Sequence, residues 1–115
     1  QNCEMLNSAF LAALLISAVL KSSDVVGEPM WRLPLDSVTK RQNSSRVADL
    51  KNTGGRGGGS TTAAHFISDF AGETPWVHID IAATSMLDGL RGWFPAGATG
   101  VPTRSLVELA MRLGK

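Results

Sequence analysis

Apolar positions recur at helical spacing in three stretches of the chain and alternate in two others. From Ala9 to Val26, Leu11, Leu14, Leu15 and Ala18 fall at i, i+3, i+4, i+7, the spacing of one helical face. Ile16, Val19 and Leu20 widen that face, so the predicted helix is one that other elements should cover on most sides. Gly27 and Pro29 end it. Trp31, Leu33 and Leu35 then alternate, which predicts an extended stretch. Pro34 lacks an N–H to donate and confines that stretch to a sheet edge or a loop. The segment Asp36–Arg46 is polar, with a helical turn expected over Ser37–Lys40, and Val47–Asn52 reads as a short strand. Ala63, Phe66, Ile67 and Phe70 restore the helical period and predict a helix over Gly59–Ala71, closed by Gly72.

A second strand is predicted over Trp76–Ala82. Val77, Ile79 and Ile81 share one face; Trp76, His78 and Asp80 share the other. Ala83–Gly100 is glycine-rich and aperiodic, and loops of that length in a compact domain are uncommon and often functional. A last helix starts near Pro102, carries Leu106, Leu109, Ala110 and Leu113 on one stripe, and stops at Gly114. Alternating helices and strands place the chain in the α/β class. Two strands are thin for an independent parallel sheet covered on both faces.

Composition narrows the function classes. A net charge of +1 leaves no basic or acidic excess that would suit nucleic acid or an acidic partner. A hydrophobic content of 43% excludes a disordered chain. The single cysteine, Cys3, excludes an internal disulfide and has no neighbouring charges that would activate a thiol. The apolar run Phe10–Leu20 is shorter than the ~20 residues a membrane span needs. No basic residue precedes it, so it does not read as a signal peptide. A start at Gln1 suggests a processed or incomplete protein.

Candidate chemistry is sparse. The glycine loop Gly54–Gly59 lies between a predicted strand and a predicted helix, where backbone N–H groups can bind an anion. Its spacing fits a phosphate-binding loop, but Ser60 stands where that motif has lysine, and Ser60 also replaces the third glycine of a dinucleotide-binding pattern. Close backbone packing and positive φ, which glycine tolerates, account for the loop better. His78 and Asp80 share a strand face but lack a third metal ligand nearby, and packing with hydrogen-bonded tips is the expectation for them. His65 and Asp69 stand at i, i+4 but off the apolar stripe, so they are expected on a solvated face. No serine, histidine and acid combine into a nucleophile arrangement. The residues by themselves define no catalytic constellation.

Five phrases carry more information. They are Gly-Glu-Pro-Met-Trp-Arg-Leu-Pro-Leu (27–35), Val-Ala-Asp-Leu-Lys-Asn-Thr-Gly-Gly-Arg (47–56), Thr-Ala-Ala-His-Phe (62–66), Trp-Val-His-Ile-Asp-Ile-Ala (76–82) and Gly-Ala-Thr-Gly-Val-Pro-Thr-Arg-Ser-Leu (97–106). In this order and spacing they resemble the leucyl (cytosol) aminopeptidases. The resemblance implies that residues 1–115 are the C-terminal portion of a catalytic domain, without its N-terminal domain or metal-ligand segment. The implied fold is a three-layer α/β/α arrangement, here a partial mixed sheet flanked by helices. The implied activity is removal of N-terminal residues, leucine and similar, from peptides, in the cytoplasm and usually by a hexamer. In that chemistry two divalent metals, manganese or zinc, activate a water and polarise the scissile carbonyl.

The family's metal ligands are carboxylates and one lysine, and its signature Asn-Thr-Asp-Ala-Glu-Gly-Arg, which also brings a bicarbonate-holding arginine, occurs nowhere in this chain. None of the ten acidic residues matches a ligand position, so the resemblance assigns no metal or catalytic residue here. Three substrate-binding positions do carry over. Thr53 matches a position lining the pocket for the residue after the cut. Ala82 matches a wall of the pocket for the N-terminal side chain. A second wall position, often methionine in the family, falls at Ser85 or at the neighbouring Met86. Residue 83, often glycine in the family, is alanine here, which resists positive φ. A chain with this content is expected to be inactive alone. Three readings compete with that of a pocket-bearing part of an enzyme: a piece that folds poorly, a stable inactive module that packs with itself or with intact subunits, and a nucleotide-binding module.

Overall fold

The computed structural model describes residues 2–114, with side chains from Leu11 onward. The elements run α1 (Asn2–Val26), α2 (Ser37–Arg41), α3 (Gly59–Ala71), β1 (Met86–Leu87), β2 (Gly97–Ala98) and α4 (Thr103–Leu113). They belong to two compact units. One is Gln1–Ala9 with Arg32–His78; the other is Phe10–Trp31 with Ile79–Lys115.

In the first unit α2 exists because Asp36 caps it. The Asp36 Oδ1 accepts from the Val38 and Thr39 N–H groups at 2.8 and 2.9 Å, and Oδ2 accepts from Thr39 Oγ1 at 2.8 Å. Asn43 then joins the turn after α2 to α3. Its side chain is 1% exposed, its Nδ2 donates to Thr62 O at 2.8 Å, and its backbone O accepts from Lys51 N at 2.8 Å. Lys40 Nζ meets Asp69 Oδ1 at 2.7 Å, a second tie between α2 and α3. Gly58, at φ 72°, precedes α3, and Gly54 lies so close to Thr62 that a Cβ there would stand 2.7 Å from Thr62 Cγ2. The glycine loop is therefore built for backbone geometry and close approach, as its composition suggested.

In the second unit α1 ends in a Schellman motif. Gly27 adopts φ 70°, Gly27 N donates to Asp24 O at 3.3 Å and Glu28 N to Ser23 O at 2.9 Å. β1 and β2 pair antiparallel, Met86 with Ala98 and Leu87 with Gly97, across a loop in which Arg91 and Phe94 form a further bridge. Thus the glycine-rich stretch 83–100 is a hairpin, and α4 follows it with Pro102 as its N-cap residue. The helices and this short ladder are compatible with the α/β class.

Both long predicted strands fail as ladder partners. Residues 47–52 close on themselves, since Ser45 Oγ accepts from Val47 N and Ala48 N and only Leu50 forms an isolated bridge, to Ser44. Residues 77–81 keep the alternation, with Val77, Ile79 and Ile81 half-buried and His78 and Asp80 exposed, while Trp76 departs from it by being half-buried; no neighbouring strand pairs with the segment among the described residues. Periodicity reports which side chains seek cover; a ladder needs a partner as well.

The helical stripes are also less covered than their pattern demands. On α1 Leu14 is 51% exposed, while Val19, Ser22 and Ser23 are buried near its C-terminal end. On α3 Phe70 is 71% exposed, and the buried side chains are Thr62, Ala64 and His65. His65 thus departs from the expected solvated face. No helix among the described residues is long and apolar enough to cross a membrane.

Candidate functional site

Thr53 lines a groove in the first unit. The groove has a volume of about 710 Å³ and is lined by residues 45 and 48–53 on one side and by Phe66, Asp69 and Phe70 of α3 on the other. The two rings stand 5.2 Å apart, tilted by 55°, and give the groove an apolar wall. Asp69, also in the lining, is held by Lys40. The neighbouring glycine loop offers little to a phosphate. Gly55 N already donates to Gln42 Oε1 at 3.0 Å, and the lysine a phosphate loop would use is a serine.

Ala82 and Ser85 share a single turn in the second unit. Asp80 Oδ1 accepts from Ala82 N at 2.8 Å, and Ile81 O accepts from both Thr84 N and Ser85 N at 2.9 Å. Thr99 fastens this turn from outside: its N–H donates to Ser85 O at 2.9 Å and its Oγ1 donates to Thr84 O at 2.7 Å. Ala82 and Met86 are exposed and Ser85 is half-buried, so the turn presents a small methyl wall beside a flexible thioether. Among the described residues only glycines have positive φ, so Ala83 is accommodated without strain.

A buried carboxylate anchors the other end of this region. Glu28 accepts from Arg104 Nε at 3.1 Å, from Ser105 N at 3.0 Å and from Ser105 Oγ at 2.6 Å. Burial pushes its carboxyl up. The Ser105 hydroxyl and N–H, with Arg104, outweigh that and hold it below the ordinary value of 4.5. The Arg104 guanidinium also lies 5.5 Å over the Trp93 ring, and Trp93 stacks on Phe94 at 3.9 Å. Glu28 and Arg104 are 76 residues apart, a pairing that no local spacing rule could reveal.

The donors present do not fit a metal pair. Among the described residues no three of His, Cys, Asp and Glu converge. Four of the acidic groups are engaged elsewhere: Glu28 caps α4, Asp36 caps α2, Asp69 pairs with Lys40, and Glu108 pairs with Arg112. His65 and Asp69 do not act together, because Asp69 turns to Lys40 while His65 Nε2 is buried without a partner. The Cys3 side chain lies outside the described residues.

Comparison with known proteins agrees with the motif order. The cytosol aminopeptidase family, catalytic domain, matches residues 7–107. The chain belongs to that family. A probable cytosol aminopeptidase of Solibacter usitatus is 50% identical over 93 residues, which are 81% of this chain and 19% of that protein. One from Acidobacterium capsulatum is 49% identical over 82 residues, 71% of this chain and 16% of that protein. Among solved structures, the bottromycin maturation enzyme BotP in complex with Mn superposes with a TM-score of 0.83 at 39% identity, covering 90% of this chain and 23% of BotP. The chain therefore spans about a fifth of the length of the relatives it matches.

Proposed function

We propose that the complete protein removes N-terminal amino acids, leucine and similar, from peptides, and that this chain supplies walls of its substrate pocket. In this reading Ala82 and Ser85 border the N-terminal side chain, and Thr53 borders the residue after the cut. The observation that carries it is the turn at 82–85, whose small side chains are held in place by Thr99 rather than left to a mobile loop. Family membership supports the activity, and the manganese named with BotP supports a divalent metal.

Among the described residues the acids and histidines do not converge on a metal; in this reading the two divalent ions, manganese or zinc, are held by residues beyond these 115. The 115 residues alone are then inactive. A three-layer α/β/α domain, a hexamer and a cytoplasmic setting belong to the same reading of the complete protein.

Substituting Ala82→Met in the complete protein tests the pocket. Three added heavy atoms narrow the space for a leucyl side chain more than for an alanyl one. A single methylene in an apolar pocket already shifts selectivity by roughly 10–200-fold. The leucyl-to-alanyl ratio of kcat/KM on arylamides should fall at least tenfold. An unchanged ratio would remove Ala82 from the pocket.

A further inference from the structure

α4 begins without a cap of its own. An N-cap side chain normally accepts from the second or third N–H of the helix. Pro102 occupies that position and makes no such bond. The third residue, Ser105, instead donates its N–H to Glu28, 77 positions earlier, and adds its hydroxyl to the same oxygen. Glu28 is suited to this because the Schellman motif at Gly27 fixes its backbone and its side chain is only 4% exposed. A carboxylate is also the favoured charge at a helix N-terminus.

From α4 the connection to the candidate turn is short. Thr103 N donates to Gly100 O at 2.9 Å, Val101 N to Thr99 Oγ1 at 3.3 Å, and Thr99 holds Thr84 O and Ser85 O. The same carboxylate orients Arg104, whose guanidinium covers Trp93 in the hairpin that joins Ser85 to Thr99. The tip of the hairpin, through Trp93, and its exit at Thr99 are thus both referred to one buried acid.

We propose that Glu28 is a positioning residue for the Ala82–Ser85 turn: by capping α4 and holding Arg104, it fixes Thr99 and with it the wall of the N-terminal side-chain pocket. The pocket role of that turn rests on the function proposed above; the coupling between Glu28 and the turn does not.

Glu28→Gln tests both parts. The amide keeps the shape but must turn an NH₂ toward either Ser105 N–H or Arg104 Nε–H, so one of the charge-assisted bonds becomes a donor–donor contact. Hydrogen exchange on the 115-residue chain should show the Thr99 amide exchanging about tenfold faster or more, with the α3 amides of Thr62 and His65 unchanged. Ser105→Ala, which deletes one donor and keeps the charge, should give a smaller change at the same amide and reads the coupling if Glu28→Gln fails to fold. Faster exchange at Ser105 with Thr99 unchanged in both variants would overturn the coupling.

In the complete protein Glu28→Gln should raise KM for a leucyl arylamide and lower the leucyl-to-alanyl ratio. A purely structural role would lower the active fraction and leave both unchanged. If Ala82→Met shifts that ratio and Glu28→Gln does not, the positioning role is wrong. If Ala82→Met shifts nothing, the pocket assignment is what fails, and the exchange result still decides the coupling.

Discussion

Gly54→Ala measures how tightly the glycine loop is seated on α3. The added methyl would stand 2.7 Å from Thr62 Cγ2, 3.0 Å from Thr62 Cβ and 3.1 Å from Thr62 Oγ1. Thr62 is 4% exposed, and its hydroxyl donates to Gly59 O at 3.1 Å, so it has little room to yield. Overpacking of this kind costs about 1–3 kcal/mol. Gly54 does not use positive φ, so alanine also gains about 0.4–1 kcal/mol by restricting the unfolded chain. The clash wins, and a net loss of about 1–2 kcal/mol is expected. At about 4 °C per kcal/mol this is a visible drop in Tm by circular dichroism. Thr62→Ser removes the methyl at 2.7 Å, so the double variant should recover much of the loss, with a coupling of about 1 kcal/mol or more. A Tm within a degree of the parent for Gly54→Ala, or strictly additive single effects, would show that the loop is not packed against Thr62 as described.

Three further outcomes are expected. Gly58→Ala forces a side chain into φ 72° with its Cβ 3.0 Å from Thr61 Oγ1, and should cost about 1–2 kcal/mol, with Gly58→Asn milder; thermal unfolding compares them. Acid should loosen the two carboxylate caps. The Thr39 N–H and hydroxyl hold Asp36 below its ordinary 3.8, and hydrogen bonds from Ser105 and Arg104 overcome burial to hold Glu28 below 4.5. Because both folded values are depressed, their stabilisation is present above the ordinary values and is lost as pH falls through the folded ones. The Val38 and Ser105 amide resonances should report midpoints below 3.8 and 4.5 respectively; midpoints at or above those values would contradict the caps. Finally, the pure 115-residue chain should hydrolyse no leucyl arylamide with added manganese or zinc, and chelator-sensitive turnover by it would show that a metal site had been missed.

The sequence made some of this legible and hid the rest for physical reasons. α3 was readable from Gly59 to Ala71 because its ends are punctuated by glycines and its period is strong. The small helix at Ser37 is legible only as a helical turn in a polar segment; the Asp36 cap that holds it is seen in the structure. The burial alternation is readable over 77–81 but fails at Trp76, and the expected strand finds no ladder, since strand pairing depends on segments far away in sequence. The hairpin within 83–100 leaves no mark on the sequence pattern because its strands are two residues each, too short for a periodicity. His65 was misplaced because it sits off the Phe66/Phe70 stripe, and the structure covers the flank of α3 that carries Thr62 and His65 rather than the stripe.

The candidate site divides in the same way. Thr53, Ala82 and Ser85 came from motif resemblance, and nothing in their local chemistry would have selected them. Glu28 stood inside the first of the five phrases but attracted no role, because its partners Arg104 and Ser105 lie at the other end of the chain. Buried acids of this kind are visible only once the fold brings their donors to them.

We propose this chain as the pocket-bearing part of a metal-dependent aminopeptidase whose metal ligands lie elsewhere in the protein. Sequencing the coding DNA upstream of Gln1 tests it most directly. The expected result is an open reading frame continuous with this chain that encodes Asn-Thr-Asp-Ala-Glu-Gly-Arg, with the lysine and aspartate ligands before it. A stop codon or unrelated sequence there would contradict it, and the aminopeptidase resemblance would then describe ancestry without activity.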